Sequence, residues 1–243
     1  MLSNKKALKM MRILFCYLIS LFVMTSSVFA TNNLDHKIIK FNDKKLNCDI
    51  AGQYPRFYSS RISANERREL NTNIKSFVRS LLERFLTGDE IGKSFMGDLK
   101  TGEEGDTFNI NFKITRADTK YVSILFKTYF MPTDGPHGVL YYYAFNYDIR
   151  GSKVIHLRDL FKSGINYLKQ MNYFSNLGLE KQLGKDFSPK NVFREGDQIT
   201  FDKKSITIHY DVYEVTSYSF GTPEIEAPFD KLTGLKEDIE DIK

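Results

Sequence analysis

The chain is poor in cysteine and histidine, and it has almost no net charge once its first thirty residues are set aside. Cys16 lies in an apolar N-terminal run, so Cys48 is the single thiol left for the folded part. One thiol closes no internal disulfide, so the hydrophobic core must supply the stability. Cys48 reads as a small buried hydrophobe, with an intermolecular bridge or a reactive nucleophile as the alternatives. His36, His137, His156 and His209 are scattered, none three or four residues from another. No Cys–His spacing suits zinc, so no metal site and no cofactor are expected. GxSxG, P-loop and dinucleotide fingerprints are missing, and no local arrangement pairs a nucleophile with a base. No catalytic residue is therefore assigned; a hydrolase with a convergent site is the remaining enzymatic reading. Internal repeats and low-complexity segments are also lacking.

Charge of one sign is lacking too. The whole chain has 35 Lys and Arg against 30 Asp and Glu. Residues 1–30 hold Lys5, Lys6, Lys9 and Arg12 and no acid, which leaves 31 basic and 30 acidic side chains, a formal net of +1. The basic pI of the full sequence thus belongs largely to its start, and nucleic acid is not an expected partner. The same thirty residues read "ILFCYLISLFVM" after the basic start and "VFA" ending at Ala30. Basic, apolar and small regions in that order specify a secretory signal peptide cleaved near Ala30, giving a periplasmic or secreted protein. The alternative is an uncleaved anchor over residues 13–30, the one way this chain would meet a membrane.

What is present is patterned. Thr31 to Lys45 is polar and charged and reads as a leader; "CDIAGQYPRF" reads as a short strand entering a proline turn. Leu70, Ile74, Phe77, Val78, Leu81, Leu82 and Phe85 form one helical stripe. Ser63 and Glu66 stand at capping-box spacing before that stripe, and Gly88 can end it. Residues 87–106 read as a long loop with room for a short helix. "TFNINFKIT", "YVSILFKTYFM" and "VLYYYAFNYDI" alternate with period two and are joined by short links, which predicts an antiparallel meander. "HLRDLF" opens a helical region to about Gln182, with Asp159 an early-helix carboxylate. "QITF" and "SITIHYDV" predict a hairpin. Grouped strands with two helical segments specify an α+β fold, an antiparallel meander sheet with helices packed on one face.

One strand breaks its own rule. Ile206, Ile208, Tyr210 and Val212 alternate with Ser205, Thr207, His209 and Asp211, and then Glu214 falls where an apolar residue is due. Glu214, Gly221 and Pro223 read as a structural corner at which the carboxylate accepts N–H groups of the following turn. Tyr213 and Tyr218 beside it offer apolar area with a polar tip, which suits a partner surface. His137, in "PTDGPHG", either lines a ligand groove or sits in a plain connection whose glycines take positive φ.

Two stretches resemble bacterial extracytoplasmic domains that occur in tandem. "YPRF" at 54–57 with "LNTNIKSFV" at 70–78 resembles the domain preceding the catalytic part of the peptidoglycan deacetylase PdaC. "GPHGVLYYYAFNYDIRGSKVIHLRDLF" at 135–161 and "ITIHYDVYEVTSYSFGTPEIEAPFDKL" at 206–232 resemble the RsiV-type C-terminal domain of anti-sigma-V factors. The resemblance implies a PdaC-like region over 31–106 and an RsiV-like domain over 107–243, packed as one unit after the 1–30 signal. Only residues 1–12 precede the apolar stretch, and no deacetylase region follows the second motif. The expectation is therefore an extracytoplasmic module alone, a non-catalytic binding protein. The resemblance implies lysozyme or another cell-wall-active enzyme as partner, with peptidoglycan or glycan binding as the alternative. His137, Tyr213 and Tyr218 are the candidate contacts.

Overall fold

The clearest stretch of sequence makes the main scaffold. In the computed structural model, which describes residues 33–45, 48–87, 105–133, 135, 137–184 and 192–239, Ala64–Thr87 forms helix α1. The helix starts on the expected box: Glu66 N–H donates to Ser63 Oγ at 3.2 Å, and Ser63 N–H donates to Glu66 Oε2 at 2.8 Å. Two otherwise orphaned backbone donors are answered by side chains, which fixes the first turn. Leu70, Ile74, Val78, Leu81 and Phe85 are buried along one stripe. Residues 88–104, which include Gly88 and most of the loop predicted over 87–106, lie outside the described residues.

That stripe packs on a six-stranded sheet of order β1-β2-β3-β4-β5-β6. The strands are β1 His36–Lys45, β2 Cys48–Phe57, β3 Thr107–Ala117, β4 Tyr121–Met131, β5 Val139–Asp148 and β6 Lys153–Val154. The meander of β3, β4 and β5 is antiparallel throughout. Alternation buries Phe108 and Ile110 from β3, Ile124, Phe126 and Phe130 from β4, and Val139 and Phe145 from β5 beneath α1. Phe85 stacks on Phe108 at 4.3 Å between ring centroids and meets Phe130 edge-on at 5.4 Å. Cys48 is fully buried in this core, and its thiol is pushed up by burial and then by Asp106 and Asp49. A raised, enclosed thiol is chemically inert.

Two readings are corrected at the start of the fold. The polar leader contains strand β1, paired in register with β2 from His36↔Phe57 to Lys45↔Cys48. An edge strand is covered on few sides and tolerates charge, so it carries little of the alternation that betrays a buried strand. The ten-residue β2 also runs through Pro55 instead of turning there. Pro55 is tolerated because β2 is paired to β3 only over Asp49–Gly52, so at Pro55 the strand has a neighbour on one side alone. That β2–β3 pairing is parallel, which requires a crossover, and α1 supplies it. Residues on either side of position 106 thus belong to one sheet.

The second face of the large sheet carries a smaller sheet, β7 Gln198–Phe201, β8 Ser205–His209 and β9 Glu224–Pro228, in that order. β4 is consequently buried on both faces, and most of its residues are inaccessible. The contact includes a network of polar groups. Ser123 Oγ accepts Phe201 N–H at 3.0 Å and donates to Asn146 Oδ1 at 2.7 Å, while Asn146 Nδ2 donates to Ile199 O at 2.8 Å. Buried polar groups are tolerated when each is answered in this way. The outer face of the small sheet buries Ile199, Phe201, Ile206, Ile208 and Ile225 with Met171 and Leu179 of helix α2, Tyr167–Leu183.

The predicted helix from "HLRDLF" is in fact two pieces. Leu157–Leu160 makes one 3-10 turn, capped where Asp159 Oδ2 accepts His156 N–H at 2.8 Å. Gly164, at φ +79°, then redirects the chain before Asn166 caps α2 by accepting Lys169 N–H at 3.0 Å. A left-handed glycine ends one turn and an Asn cap starts the next. The α+β class stands: the described residues form two α-helices, a mostly antiparallel six-stranded sheet and a three-stranded sheet.

Candidate functional site

The corner at the end of β8 begins earlier than the alternation suggests. Sheet pairing stops at His209, although Tyr210 N–H still donates to Pro223 O at 3.1 Å across the returning chain. Tyr213 then takes φ +67°, a left-handed conformation uncommon for any side chain but glycine and asparagine. This folds the chain back on itself. Glu214 N–H donates to Asp211 O at 3.2 Å, and Asp211 N–H donates to Glu214 Oε2 at 2.9 Å. The carboxylate therefore serves the residue three positions before it, not the turn after it, because the left-handed step at Tyr213 points it backwards. Gly221, at φ +75°, closes the 3-10 turn Tyr218–Phe220 by donating to Tyr218 O at 3.0 Å.

His137, Tyr213 and Tyr218 come together there. They are supplied by two connections far apart in sequence, β4–β5 and β8–β9. The His137 and Tyr218 rings lie 4.2 Å apart, Tyr213 and Tyr218 5.8 Å, and His137 and Tyr213 6.4 Å. Their polar atoms are ordered as well. His137 Nδ1 lies 3.1 Å from Gly138 O, and a carbonyl only accepts, so the neutral ring carries its proton on Nδ1. Nε2 is then the acceptor for Tyr213 Oη at 3.3 Å. Tyr218 is 42 % exposed and its neighbour Phe220 61 %, so the cluster presents ring surface to solvent on a pinned backbone.

The same corner holds a carboxyl that the alternation misassigns. Asp211 belongs to the polar face of the strand pattern, yet its Oδ1 accepts Tyr142 N–H from β5 at 2.6 Å and is largely shielded from water. Burial pushes its pKa from 3.8 up to about 7, the Tyr142 N–H opposes that shift, and the charges of Glu214 and Asp197 add to it. Glu214 is raised by desolvation of its carboxyl, partly offset by the Asp211 N–H. Tyr142 Oη meets Thr222 Oγ1 at 2.7 Å, tying the same strand to the chain beyond the corner. No residue-type pattern announces Asp211, Tyr142 or Thr222; the only signal is the phase break at Glu214 just after Asp211.

A second recess lies between α2, β3 and the small sheet. It is a cleft of about 910 Å³ lined among others by Lys113, Thr115, Lys181, His209 and Glu224. His209 is buried, with Nε2 2.8 Å from Thr200 Oγ1 and Nδ1 3.6 Å from Glu224 Oε1, too long for a direct hydrogen bond. The nearby His209 ring, then Lys127 and Lys113, draw the Glu224 carboxyl below its ordinary range, against the opposing effect of burial. Among the described residues, no three of His, Cys, Asp and Glu are grouped closely enough to share a cation.

Comparison with known proteins places part of this chain. No curated protein matches it. A DUF3298 family protein of Pseudomonas aeruginosa PAO1, known from a crystal structure, superposes with a TM-score of 0.59 at 20 % identity, covering 85 % of this chain and 95 % of that one. A DUF3298 family member of Bacteroides fragilis gives 0.55 at 17 % identity, covering 84 % and 94 %. At these identities the likeness is one of fold. Residues 158–230 match the family described as protein of unknown function (DUF3298), a span that includes Tyr213, Glu214, Tyr218, Gly221 and Pro223 but not His137. The chain thus carries a DUF3298 domain over residues 158–230, in a fold shared with solved members of that family.

Proposed function

We propose that this chain is an extracytoplasmic, non-catalytic binding protein that holds a protein partner on the aromatic corner, with lysozyme or another cell-wall-active enzyme as that partner. The carrying observation is the convergence of His137, Tyr213 and Tyr218 from separate connections into one partly exposed cluster. Large amphipathic rings held on a fixed backbone give contact area at low entropic cost, and interface hot spots are enriched in them. The choice of a cell-wall enzyme rests on the RsiV-type resemblance. Export rests on the sequence of residues 1–30, which lie outside the described structure.

Surface plasmon resonance of the mature protein against immobilised lysozyme tests the reading. Tyr218→Ala removes an exposed ring and should weaken binding by about tenfold or more through faster dissociation. Circular dichroism serves as the fold control. Wild-type protein that is folded and does not bind at high micromolar concentration sinks the lysozyme assignment. Purified peptidoglycan forms the parallel arm, since the exposed faces of Tyr218 and Phe220 also suit stacking on a sugar ring. N-terminal sequencing of exported protein should begin at Thr31; an intact Met1 on membrane-bound protein supports the anchor instead.

A further inference from the structure

A different face carries a concentration of positive charge that the nearly neutral folded part gives no reason to expect. Where the start of β1, the end of β2 and the first three turns of α1 meet, a cleft of about 560 Å³ is lined by Lys37, Arg56, Arg67, Arg68 and Lys75. Tyr54 and Tyr58 stand in the same lining, and no Asp or Glu does among the described residues. Tyr58 is 58 % exposed. Arg67, Asn71 and Lys75 fall four residues apart on one face of α1, with Arg68 beside Arg67.

Two features make this a built arrangement instead of a scatter of surface lysines. Lys37 and Arg56 stand directly opposite one another in the β1–β2 register, a like-charge pair that costs stability unless something neutralises it. Among the described residues, the side chains of Lys37, Arg56 and Lys75 have no hydrogen-bond or ion-pair partner that offsets that repulsion. The walls are also locked together. Asn71 Oδ1 accepts Phe57 N–H and Asn71 Nδ2 donates to Phe57 O, each at 2.8 Å, joining helix to strand in the middle of the cleft. Arg67 is tied down by donating to Ser59 O at 3.0 Å. Arg68 donates to Asn65 Oδ1, and the backbone segments that carry the other cations are joined by the Asn71 bonds.

We propose that this cleft binds a phosphate-bearing ligand carrying at least two negative charges, with a ring or headgroup lying against Tyr54 and Tyr58. Five cations exceed what one carboxylate can neutralise, and guanidinium forks match phosphate oxygens in pairs. The volume is that of a small-molecule site. The ligand is either a soluble phosphorylated glycan or the headgroup of an anionic lipid, which share this chemistry. The cleft has no residue in common with the aromatic corner, so the proposal stands or falls independently of the binding function proposed there.

The test uses the mature protein, tripolyphosphate and glucose 6-phosphate as soluble probes, and vesicles of phosphatidylglycerol in phosphatidylcholine as the lipid arm. Titration calorimetry and vesicle sedimentation are run at 50 and 150 mM salt. The double variant R56Q/R68Q changes two exposed side chains, so its melting temperature should equal or slightly exceed that of wild type as repulsion is relieved. Its binding should fall at least tenfold, about 1.4 kcal/mol. The turn variant K203Q/K204Q, distant in sequence, should bind as wild type. Soluble-probe binding identifies the glycan phosphate, and vesicle binding alone identifies the headgroup. The proposal is overturned if wild type binds none of the probes at millimolar concentration, if R56Q/R68Q binds unchanged, if K203Q/K204Q loses as much, or if citrate binds as tightly as tripolyphosphate.

Discussion

Replacing Asp211 by Asn separates the electrostatics of the corner from its geometry. The carboxyl titrates at 3.8 when free and is pushed up to about 7 in the fold, chiefly by burial against β5. Between those values the folded chain binds a proton that the unfolded chain has released. Stability must therefore fall as pH rises through this window, and the penalty is complete above about 7. A shift of about three units corresponds to about 4 kcal/mol at 1.36 kcal/mol per unit, an upper estimate because the side chain is not wholly enclosed. Roughly 2 to 3 kcal/mol of it falls between pH 5 and pH 8. Asn keeps an oxygen for the Tyr142 N–H and cannot ionise, so Asp211→Asn should remove that slope. Asp197, Glu214 and Arg194 face the same region and are common to both proteins, so only their coupling to the Asp211 charge enters the difference. Urea denaturation at pH 5 and pH 8, followed by circular dichroism, measures it. If wild type and Asp211→Asn lose the same stability between the two pH values, Asp211 does not titrate near neutrality and the account of the corner as a desolvated carboxyl fails.

Further expectations follow from the same contacts. Glu214→Gln keeps an acceptor for the Asp211 N–H and removes a neighbouring charge, so the Asp211 titration midpoint, read by carbon NMR of its carboxyl, should move down; Glu214→Ala loses the bond and should cost about 0.5–1.5 kcal/mol in urea denaturation. Gly178 faces β9 so closely that an added Cβ would stand 2.5 Å from Ile225 Cγ2, and Gly178→Ala should lose about 1–3 kcal/mol by overpacking, measured by the denaturation midpoint. Phe85 is fully buried between Phe108 and Phe130, and Phe85→Ala should lose about 3–5 kcal/mol in the same assay.

How much of this was legible depended on which physical rule governed each residue. Helix α1 and strands β3 to β5 were readable because burial on one face imposes a period, and the period survives in the order of Leu70, Ile74, Val78 and Phe85 or of Phe108, Ile110 and Phe112. β1 was not, because an edge strand is specified by backbone pairing, which leaves no mark on side-chain order. Pro55 misled for a related reason: proline excludes a doubly paired strand position, and β2 at that point has one neighbour. The corner was partly legible. Glu214 broke the alternation and so marked the place, but the alternation assigned Asp211 to a polar face that in the folded chain is covered by β5. A polar face is solvent-facing only if nothing packs on it, and what packs on it here is a strand more than sixty residues earlier. The aromatic cluster has the same character. His137 lies in a connection of the first sheet and Tyr213 and Tyr218 in a connection of the second. Each was visible as a residue type suited to contact, and only the docking of the two sheets through Ser123, Asn146 and Phe201 sets their rings side by side. That docking rests on hydrogen bonds between single polar residues and backbone groups, which have no period. The polar interface that places the site is therefore the part of this fold least accessible to pattern, and substitutions at Ser123 or Asn146 would disturb the corner without touching it.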